Sequence, residues 1–229
     1  MPGKLLSGPG RGVSVGSTRG NSMKIAIIGA GNVGAALGGR WIAAGHEVTY
    51  GIRPDREAKS SLPGGAAHAP VAEAAAGAEV IVLAVPAMAA VDVLREAGSA
   101  LAGKVVIDAT NPVGPGITAL TGPKGESQAE QLQALAPAAR VVKSFNQTGA
   151  ENMADSRYPV PLVNFVAGDD PAARQVALRL ARDVGFEGIE VGPLSRAREL
   201  ERLATLWISL AMNPASGLGR GFGFAIARR

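Results

Sequence analysis

The chain contains no cysteine among its 229 residues. This absence excludes disulfides, thiolate metal ligands and cysteine nucleophiles, and it favours a cytoplasmic location. Long apolar runs are missing as well, because glycine, proline or a charged residue interrupts every stretch before the roughly 20 residues that a membrane-spanning helix requires. We therefore expect no membrane-spanning segment. Hydrophobic residues still make up 47% of the chain, which is enough for a substantial buried core.

Most of the excess positive charge of the chain lies in its first 22 residues. They carry three of the 23 basic side chains and no acidic one, so the remainder has 20 basic against 19 acidic residues. A nearly neutral body with two tyrosines and no basic helix offers neither a phosphate-tracking surface nor a stacking platform, so nucleic acid is not expected as a partner. Residues 1–22 are rich in Gly and Ser and have no apolar signal-peptide core. They are predicted to be a disordered leader, with Met23 as the start of the folded chain.

Groups for acid–base catalysis are few, and the chain has only two histidines. His46 lies in a predicted helix-to-strand turn and is interpreted as structural, whereas His68 lies in a loop of Gly, Ala and Pro and is expected to be exposed. No H-E-x-x-H, G-x-S-x-G or P-loop pattern is present, so hydrolysis and phosphoryl transfer lack their usual groups, and no metal site is predicted. Hydride transfer between two bound cofactors depends on positioning, so it requires no catalytic side chain.

From Met23 onward the sequence alternates short apolar runs with longer alanine-rich stretches. Runs such as 25–28 and 80–83 are apolar at every position, which is typical of parallel strands covered by helices on both faces. Strands are predicted at 23–28, 47–52, 79–85, 104–109, 140–145, 161–167 and 187–191. Helices are predicted near 32–44, 70–76, 88–101, 126–136, 171–184 and 196–212. The pattern predicts an α/β fold with a doubly wound parallel sheet.

These elements divide the chain into three parts. After the leader, residues 23–150 are predicted to form the main domain, and residues 151–229 are predicted to form a small domain that follows it. Two irregular segments, 110–125 and 146–161, follow predicted strands. Ligands of open α/β sheets bind beyond the carboxyl ends of the strands, so these loops are expected to face the substrate.

One glycine-rich turn identifies the expected ligand. The G-x-G-x-x-G pattern is matched by Gly29, Ala30, Gly31, Asn32, Val33 and Gly34. It directly follows an apolar strand, opens a helical stretch and precedes a second strand, which is the context of a dinucleotide-binding site. Gly29 is expected to make the tight turn, Gly31 to let the backbone approach the pyrophosphate, and Gly34 to let the helix pack on the strand. The phosphates would then meet the N-terminus of the helix.

The end of the second predicted strand bears on the choice between NADP and NAD. NAD-binding proteins usually carry an Asp or Glu there, which accepts hydrogen bonds from the ribose hydroxyls. Arg53 occupies this position, and its guanidinium suits a 2′-phosphate, with Arg56 and Lys59 adding positive potential. Asp55 lies close by and would serve a ribose hydroxyl in the alternative case. The residues favour NADP as the cofactor, with NAD as the alternative.

Several short segments carry a family resemblance by their order and spacing. Besides the glycine turn they are AGHEV at 44–48, VLAVP at 82–86, DATNP at 108–112, VKSFN at 142–146, AGDD at 167–170, GPL at 192–194 and LATLW at 203–207. From Met23 to its C-terminus the chain resembles the family of coenzyme F420-dependent NADP oxidoreductases.

The resemblance implies that residues 23–150 form a Rossmann-type NAD(P)-binding domain. It implies that residues 151–229 form a small C-terminal α/β extension, which completes the crevice for a second substrate and supplies a dimer contact. It also implies hydride exchange between the nicotinamide of NADP and a deazaflavin ring stacked beside it. It implies that the glycine turn holds the pyrophosphate and that Arg53 holds the 2′-phosphate. The residues implied to line the path to the nicotinamide and to surround the reacting rings are Ala84, Val85, Pro86, Asn111, Pro112, Asn146 and Ala150. Related reductases often have Ser or Thr directly before the arginine, where this chain has Ile52.

The identity of the hydride acceptor stays open at the level of sequence. The same domain resembles ferric reductase modules, and no residue is specific for a deazaflavin. One alternative is NADPH-dependent reduction of a flavin or another small acceptor. The other is a non-catalytic NAD(P)-binding sensor, whose loops at 110–125 and 146–161 would face a partner protein.

The last predicted helix carries an apolar stripe formed by Leu200, Leu203, Leu206, Trp207 and Leu210. Their spacing predicts packing against the core. Because the second domain is small and the family resemblance suggests a dimer, we expect the stripe to extend into a homodimer contact.

Overall fold

The computed structural model describes residues 22–53 and 62–229. Residues 1–21 of the predicted leader lie outside the described residues. The same is true of Asp55, Arg56 and Lys59, so the structure gives no position for the charged groups expected to follow Arg53.

An eight-stranded sheet forms the centre of the molecule, with a separate two-stranded hairpin beside it. The strands are β1 (Lys24–Ile28), β2 (Glu47–Gly51), β3 (Ala67–Ala69), β4 (Val80–Leu83), β5 (Val105–Asp108), β6 (Val113–Gly114), β7 (Thr118–Ala119), β8 (Arg140–Lys143), β9 (Val163–Gly168) and β10 (Glu187–Gly192). The order across the sheet is β10-β9-β8-β5-β4-β1-β2-β3, and β6 pairs with β7. The chain order reverses between β1 and β4, which is where ligands bind in doubly wound sheets. The predicted α/β fold is confirmed.

Helices cover both faces of this sheet. They are α1 (Asn32–Ala43), α2 (Val71–Gly77), α3 (Ala90–Ala97), α4 (Gln128–Leu135), α5 (Ala150–Ala154), α6 (Pro171–Val184) and α7 (Ala197–Met212). Ile27 of β1 belongs to a buried cluster with Trp41 of α1, whereas its neighbour Ile28 belongs to a second cluster with Val71 of α2 and Val93 of α3. Successive strand residues point to opposite faces, so both faces of β1 must be apolar. This explains the unbroken apolar runs of the sequence.

One pairing in the sheet is antiparallel, which corrects the prediction of a parallel sheet throughout. β8 runs parallel to β5 but antiparallel to β9. A parallel connection needs a crossover of a dozen or more residues, usually a helix packed on a sheet face. The chain after β8 forms only the five-residue α5, so it does not return to the opposite end of the sheet before β9 begins. β10 then runs parallel to β9, after the 14-residue crossover helix α6.

Three further elements differ locally from the prediction. The helix expected at 88–101 is divided, because α3 is flanked by 3₁₀ turns at 87–89 and 98–101, with Gly98 at a φ of 54°. The loop expected at 110–125 contains the β6–β7 hairpin. His68 lies in the edge strand β3 instead of a loop, although it is exposed as expected.

The buried face of α7 also differs from the predicted stripe. Leu200 and Trp207 are buried as expected, but Leu206 is 51% exposed. At 3.6 residues per turn, Leu206 lies roughly 120° around the helix from Leu200. The buried face instead includes Glu201, whose exposure is 2%. A charged residue that was not part of the predicted stripe is therefore buried, whereas Leu206 of the stripe is exposed.

His46 has the structural role that the sequence suggested. It is buried, and its Nδ1 accepts a hydrogen bond from the backbone N–H of Met23 at 3.1 Å. Its Nε2 lies 3.0 Å from Oδ2 of Asp183 in α6. The histidine thereby joins the start of β1 to a helix on the same face of the sheet.

Two classes of structure are not found within 22–53 and 62–229. No helix there combines the length and the apolar character that crossing a membrane requires. Nor do three or more His, Cys, Asp or Glu residues in these ranges come together in a way that could hold a metal ion.

Gly38 tests how closely α1 packs on β2. A Cβ added at Gly38 would lie 2.0 Å from the hydroxyl oxygen of Tyr50. That hydroxyl donates a hydrogen bond to the carbonyl of Gly34 at 3.2 Å, and burial raises the pKa of Tyr50 to about 12. We expect Gly38→Ala to lower the free energy of unfolding by about 1–3 kcal/mol, because helix and ring must move apart. Chemical denaturation measures the change.

Gly39→Ala is the matched control in the same helix. Its Cβ would meet only the side chain of Pro63, with the nearest atom at 3.4 Å. Replacing glycine by alanine in a helix is otherwise favourable by up to about 1 kcal/mol, so this variant should be neutral or stabilised. Equal losses in the two variants would contradict the packing described here.

Candidate functional site

The three glycines of the turn after β1 have different surroundings. Gly29 has a φ of 107°, and a Cβ there would lie 2.5 Å from the carbonyl oxygen of Ala84. A Cβ at Gly34 would lie 2.0 Å from the carbonyl oxygen of Gly29. A Cβ at Gly31 would meet no atom within 4 Å. Two glycines are therefore required by the fold itself, whereas Gly31 keeps an open space beside the backbone, as a bound pyrophosphate needs.

The N-terminus of α1 is suited to an anion. Gly31 is its N-cap and supplies no capping side chain, and the first turn contains no acidic residue. The first N–H groups of an α-helix lack intrahelical partners, and the helix dipole places partial positive charge there. Asn32 and Val33, which begin the helix, line an open cleft. Phosphate oxygens would meet these N–H groups without competition from a carboxylate.

Two clefts meet at this turn. The first, of about 470 Å³, lies over the ends of β1, β2 and β4. Its lining includes Gly29, Ala30, Gly31, Ile52, Arg53, Ala84, Val85, Pro86 and Met88. The second, of about 500 Å³, is lined by Gly31, Asn32, Val33, Ala84, Val85, Asn111, Asn146, Thr148, Gly149, Ala150, Trp207, Ile208 and Arg220. Gly31, Ala84 and Val85 line both clefts. The two clefts therefore form one continuous groove across the point where the strand order of the sheet reverses.

A pair of asparagines forms the floor of the second cleft. Asn111 Nδ2 donates to the backbone carbonyl of Asn146 at 2.8 Å, and Asn146 Nδ2 donates to Asn111 Oδ1 at 2.9 Å. Asn146 Nδ2 also donates to the carbonyl of Leu200 in α7 at 3.0 Å. Phe145, directly before Asn146, has a φ of 58°, which is strained for a residue with a side chain. The backbone N–H of Phe145 donates to Asn164 Oδ1 at 2.9 Å, and this bond helps to hold the strained turn.

Below the asparagines lies a fully buried lysine. Lys143 Nζ is 2.9 Å from Asp108 Oδ2 and 3.0 Å from Glu201 Oε1, and it donates to the backbone carbonyl of Thr110 at 2.6 Å. Lys143 and Asp108 have no exposed side-chain surface. Asp108 also accepts from the Thr110 hydroxyl at 2.7 Å. We call Lys143, Asp108 and Glu201 the buried ion cluster.

The cluster connects the two loops of the second cleft with α4 and α7. Glu201 accepts hydrogen bonds from the backbone N–H of Gln128, at 3.1 and 3.2 Å to its two carboxylate oxygens. Burial raises the pKa of Glu201, and the charge of Lys143 opposes that rise. Thr110 and Lys143 lie directly before the segments that contain Asn111 and Asn146. The position of both amides thus depends on charges buried beneath them.

Comparison with known proteins identifies the family. A family model described as NADP oxidoreductase, coenzyme F420-dependent, matches residues 24–112. The F420-dependent NADP reductase of Methanothermobacter marburgensis is 33% identical over 211 residues, which cover 82% of this chain and 92% of that protein. The chain belongs to the F420-dependent NADP oxidoreductase family.

Two other relatives extend the comparison. A solved structure from Arthrobacter sp. FB24, described as a candidate F420-dependent NADP reductase, is 34% identical and superimposes with a TM-score of 0.80. It covers 90% of this chain, which spans all of that protein. The metalloreductase STEAP3 of Rattus norvegicus is 29% identical over 187 residues, but these make up only 36% of its length. The predicted membership of the F420-dependent family is confirmed.

For this family member the structure places most of the predicted site residues along the groove. Arg53 lies at the first cleft, and Asn111, Asn146 and Ala150 lie at the second. Pro112 is separate: it lines a third cleft of about 620 Å³ with Pro86, Leu120 and Gln128. Gly34 is buried in the first turn of α1, and Arg56 is outside the described residues.

Sequence reasoning missed the buried ion cluster and the contributions of Trp207 and Arg220 to the second cleft. A signal for part of the cluster was present. Asp108 ends the otherwise apolar β5, Lys143 ends β8 after two valines, and the two residues are register partners. Charges at matching positions of adjacent buried strands indicate an ion pair, because an unpaired buried charge is costly. Trp207 and Arg220 had no comparable signal.

The buried ion cluster makes a prediction about stability. Lys143→Met fills a similar volume but leaves Asp108 and Glu201 without their counter-charge, so we expect a loss of about 3–5 kcal/mol in the free energy of unfolding. Glu201→Gln keeps the Lys143–Asp108 pair and an oxygen that accepts hydrogen bonds, so its loss should be smaller. Denaturant titration at neutral pH measures both. A larger loss in the glutamine variant would contradict this account of the cluster.

The pH dependence supplies an independent check on Glu201. Since its pKa is raised in the folded state, its contribution to stability is present below the unfolded pKa and is lost as the pH rises through the folded pKa. The parent protein should therefore lose stability relative to Glu201→Gln as the pH rises through this range. If the parent protein instead gained stability relative to Glu201→Gln as the pH rises, the pKa of Glu201 would be lowered in the folded state.

Proposed function

We propose that this protein transfers a hydride between NADP(H) and a deazaflavin cofactor of the F420 type. The observation that carries the proposal is the continuous groove, in which two clefts of about 470 and 500 Å³ share Gly31, Ala84 and Val85. The proposal is supported by the relatives, because the Methanothermobacter marburgensis protein, 92% of which is covered by the alignment, is an F420-dependent NADP reductase.

The residues of the groove fit NADP. The open space at Gly31 and the N-terminus of α1 would receive the pyrophosphate, and Arg53 would face the adenosine 2′-phosphate. Asn111 and Asn146 would orient the nicotinamide end through their amides. When bound, the nicotinamide and the deazaflavin supply the hydride donor and acceptor carbons. The protein itself would bind both cofactors, orient their rings and shield them from water.

The chemistry of the second cleft agrees with hydride transfer by positioning. Across the described ranges, its lining has no acidic, histidine, lysine, cysteine or tyrosine side chain. Val33, Val85, Ala150, Trp207 and Ile208 make much of its wall apolar. An apolar wall excludes water from two rings that must approach within about 3–3.5 Å. A group that takes or gives a proton is not required for this step.

We further propose that the protein acts as a homodimer in the cytoplasm. Leu206 and Met212 of α7 are 51% and 61% exposed, and Leu218, which follows this helix, is 46% exposed. These side chains supply an apolar surface next to the second cleft that a second copy would cover. The absence of cysteine supports a reducing compartment. Light scattering at micromolar concentration tests the dimer, and a monomer would contradict it.

Arg53 is predicted to set the preference for NADP. A charge-assisted hydrogen bond contributes roughly 1.5–3 kcal/mol, or about 10- to 150-fold in affinity. Arg53→Ala should therefore weaken NADPH binding by about this factor and leave NADH binding nearly unchanged. Calorimetric titration with both cofactors measures the two losses. Equal losses would mean that Arg53 supports the adenine or the fold, and that the preference for NADP arises elsewhere.

The position of the reacting rings is tested at Ala150. This residue is buried at the start of α5 and lines the second cleft, so a phenyl ring there would occupy the space proposed for the nicotinamide and the deazaflavin. Ala150→Phe should lower the rate of F420 reduction by NADPH at least 10-fold, with a smaller effect on NADPH affinity. Ala154→Phe, at the exposed end of the same helix, is the matched control and should retain activity.

The assay follows F420 at its visible absorption band, with FMN in parallel. Reduction of F420 well above that of FMN supports the proposal, whereas a preference for FMN identifies a flavin reductase. A parent protein that binds NADPH but reduces neither acceptor would contradict the oxidoreductase function. The sensor interpretation would then take its place.

A further inference from the structure

The second cleft ends at a single cationic side chain, Arg220. It lies in the segment that follows α7, and it lines the cleft together with Asn111, Asn146 and Trp207. Its Nε donates to Glu151 Oε1 at 2.7 Å. Its guanidinium carbon lies 5.7 Å from the centre of the Trp207 ring, within the range of a cation–π contact. Arg220 is therefore held at the mouth of the cleft by two contacts.

The chain around Arg220 is fixed by hydrogen bonds to the body of the protein. The carbonyl of Phe222 accepts from Trp207 Nε1 at 2.9 Å and from Asn152 Nδ2 at 2.6 Å. The rings of Phe222 and Trp207 stack with their centres 5.3 Å apart. Further on, the carbonyl of Phe224 accepts from the backbone N–H of Val163 at 2.8 Å. The structure thus presents Arg220 at a defined place.

The remaining donors of Arg220 are suited to an anion. A guanidinium has five N–H donors, of which the one on Nε is used by Glu151. In the part of the chain that the structure describes, no hydrogen bond is found from its two terminal nitrogens. The side chain is half exposed, and the rest of the cleft lining carries no charged group. An anion at the mouth would find four N–H donors in the planar arrangement that suits phosphate.

We propose that Arg220 binds the phosphodiester in the side chain of the deazaflavin acceptor and selects acceptors that carry it. The inference rests on the proposed function, because it assigns the second cleft to the deazaflavin. F420 has an 8-hydroxydeazaflavin ring joined through a ribityl chain to a phosphodiester and then to glutamate carboxylates. With the ring in the cleft beside Ala150, the phosphodiester is the first anionic group of the side chain. Arg220, half exposed, is the charged side chain of the cleft lining that this group would meet.

The experiment compares three acceptors that share the same ring. They are F420 with its glutamates, the form that ends at the phospholactyl group, and the riboside without phosphate. Arg220→Gln should raise KM about 10-fold for both phosphate-bearing forms and should raise KM for the riboside by a clearly smaller factor. Arg220→Lys keeps the charge without the planar fork and should recover part of the loss.

Arg228→Gln is the matched control. It removes a second ion-paired arginine near the C-terminus, whose partner is Glu187 of β10 and which does not line the cleft. This variant should behave as the parent protein with all three acceptors. NADPH affinity and the thermal midpoint, measured for every variant, separate a binding effect from a folding effect.

The outcomes are distinct for the two proposals. An equal rise in KM for the riboside, a loss confined to the glutamate-bearing form, or weaker NADPH binding in Arg220→Gln would overturn the role of Arg220, while turnover by the parent would leave the proposed function intact. A parent that reduces none of the three acceptors would instead overturn the proposed function, and with it the assignment of the second cleft to a deazaflavin.

Discussion

The contact of one lysine ammonium with two buried carboxylates is the constraint on which the geometry of the second cleft depends. Lys143 reaches Asp108 on the neighbouring strand and Glu201 on α7, and all three side chains are almost fully removed from solvent. Removing such charges from water costs several kcal/mol per ion unless each finds its partner. A shift of either strand by one residue would separate the charges, so the cluster fixes the β5–β8 register. The fixed register of β5 and β8 in turn fixes where the loops that begin at Thr110 and Ser144 leave the sheet.

The elements that could be predicted from the sequence are those whose pattern lies within one short segment of the chain. The unit from β1 to β2 was predictable because a buried strand, a glycine turn and a helix carry their patterns within about 30 residues. The reversal at β9 was not, because nothing in an apolar strand records its direction. The role of Glu201 was missed because the buried face of α7 was predicted from the spacing of its leucines alone. Arg220 reaches the cleft only through the path of the chain after α7, which no periodicity encodes.

The groove has an arginine in each of its two clefts and no charged side chain in the part that the clefts share. Arg53 lines the first cleft, and Arg220 lines the second. The shared middle, formed by Gly31, Ala84 and Val85, has no side chain that could exchange a proton or a charge with a reacting ring. Selectivity for each anionic cofactor can therefore be set at the periphery. The centre has only to keep the rings dry and close, which small apolar residues do well.

The contact between Glu201 and Gln128 also has a consequence for biosynthesis, because the two residues are 73 positions apart. A chain leaving the ribosome exposes its N-terminal βαβ unit first, and such local units form early. Lys143 then emerges with Asp108 already available, but the second carboxylate follows only when α7 has been translated. Until α7 has been translated, Asn111 and Asn146 lack the support of the complete buried ion cluster. The nascent protein should thus form its first cleft co-translationally and complete its second cleft only after translation has passed the last helix.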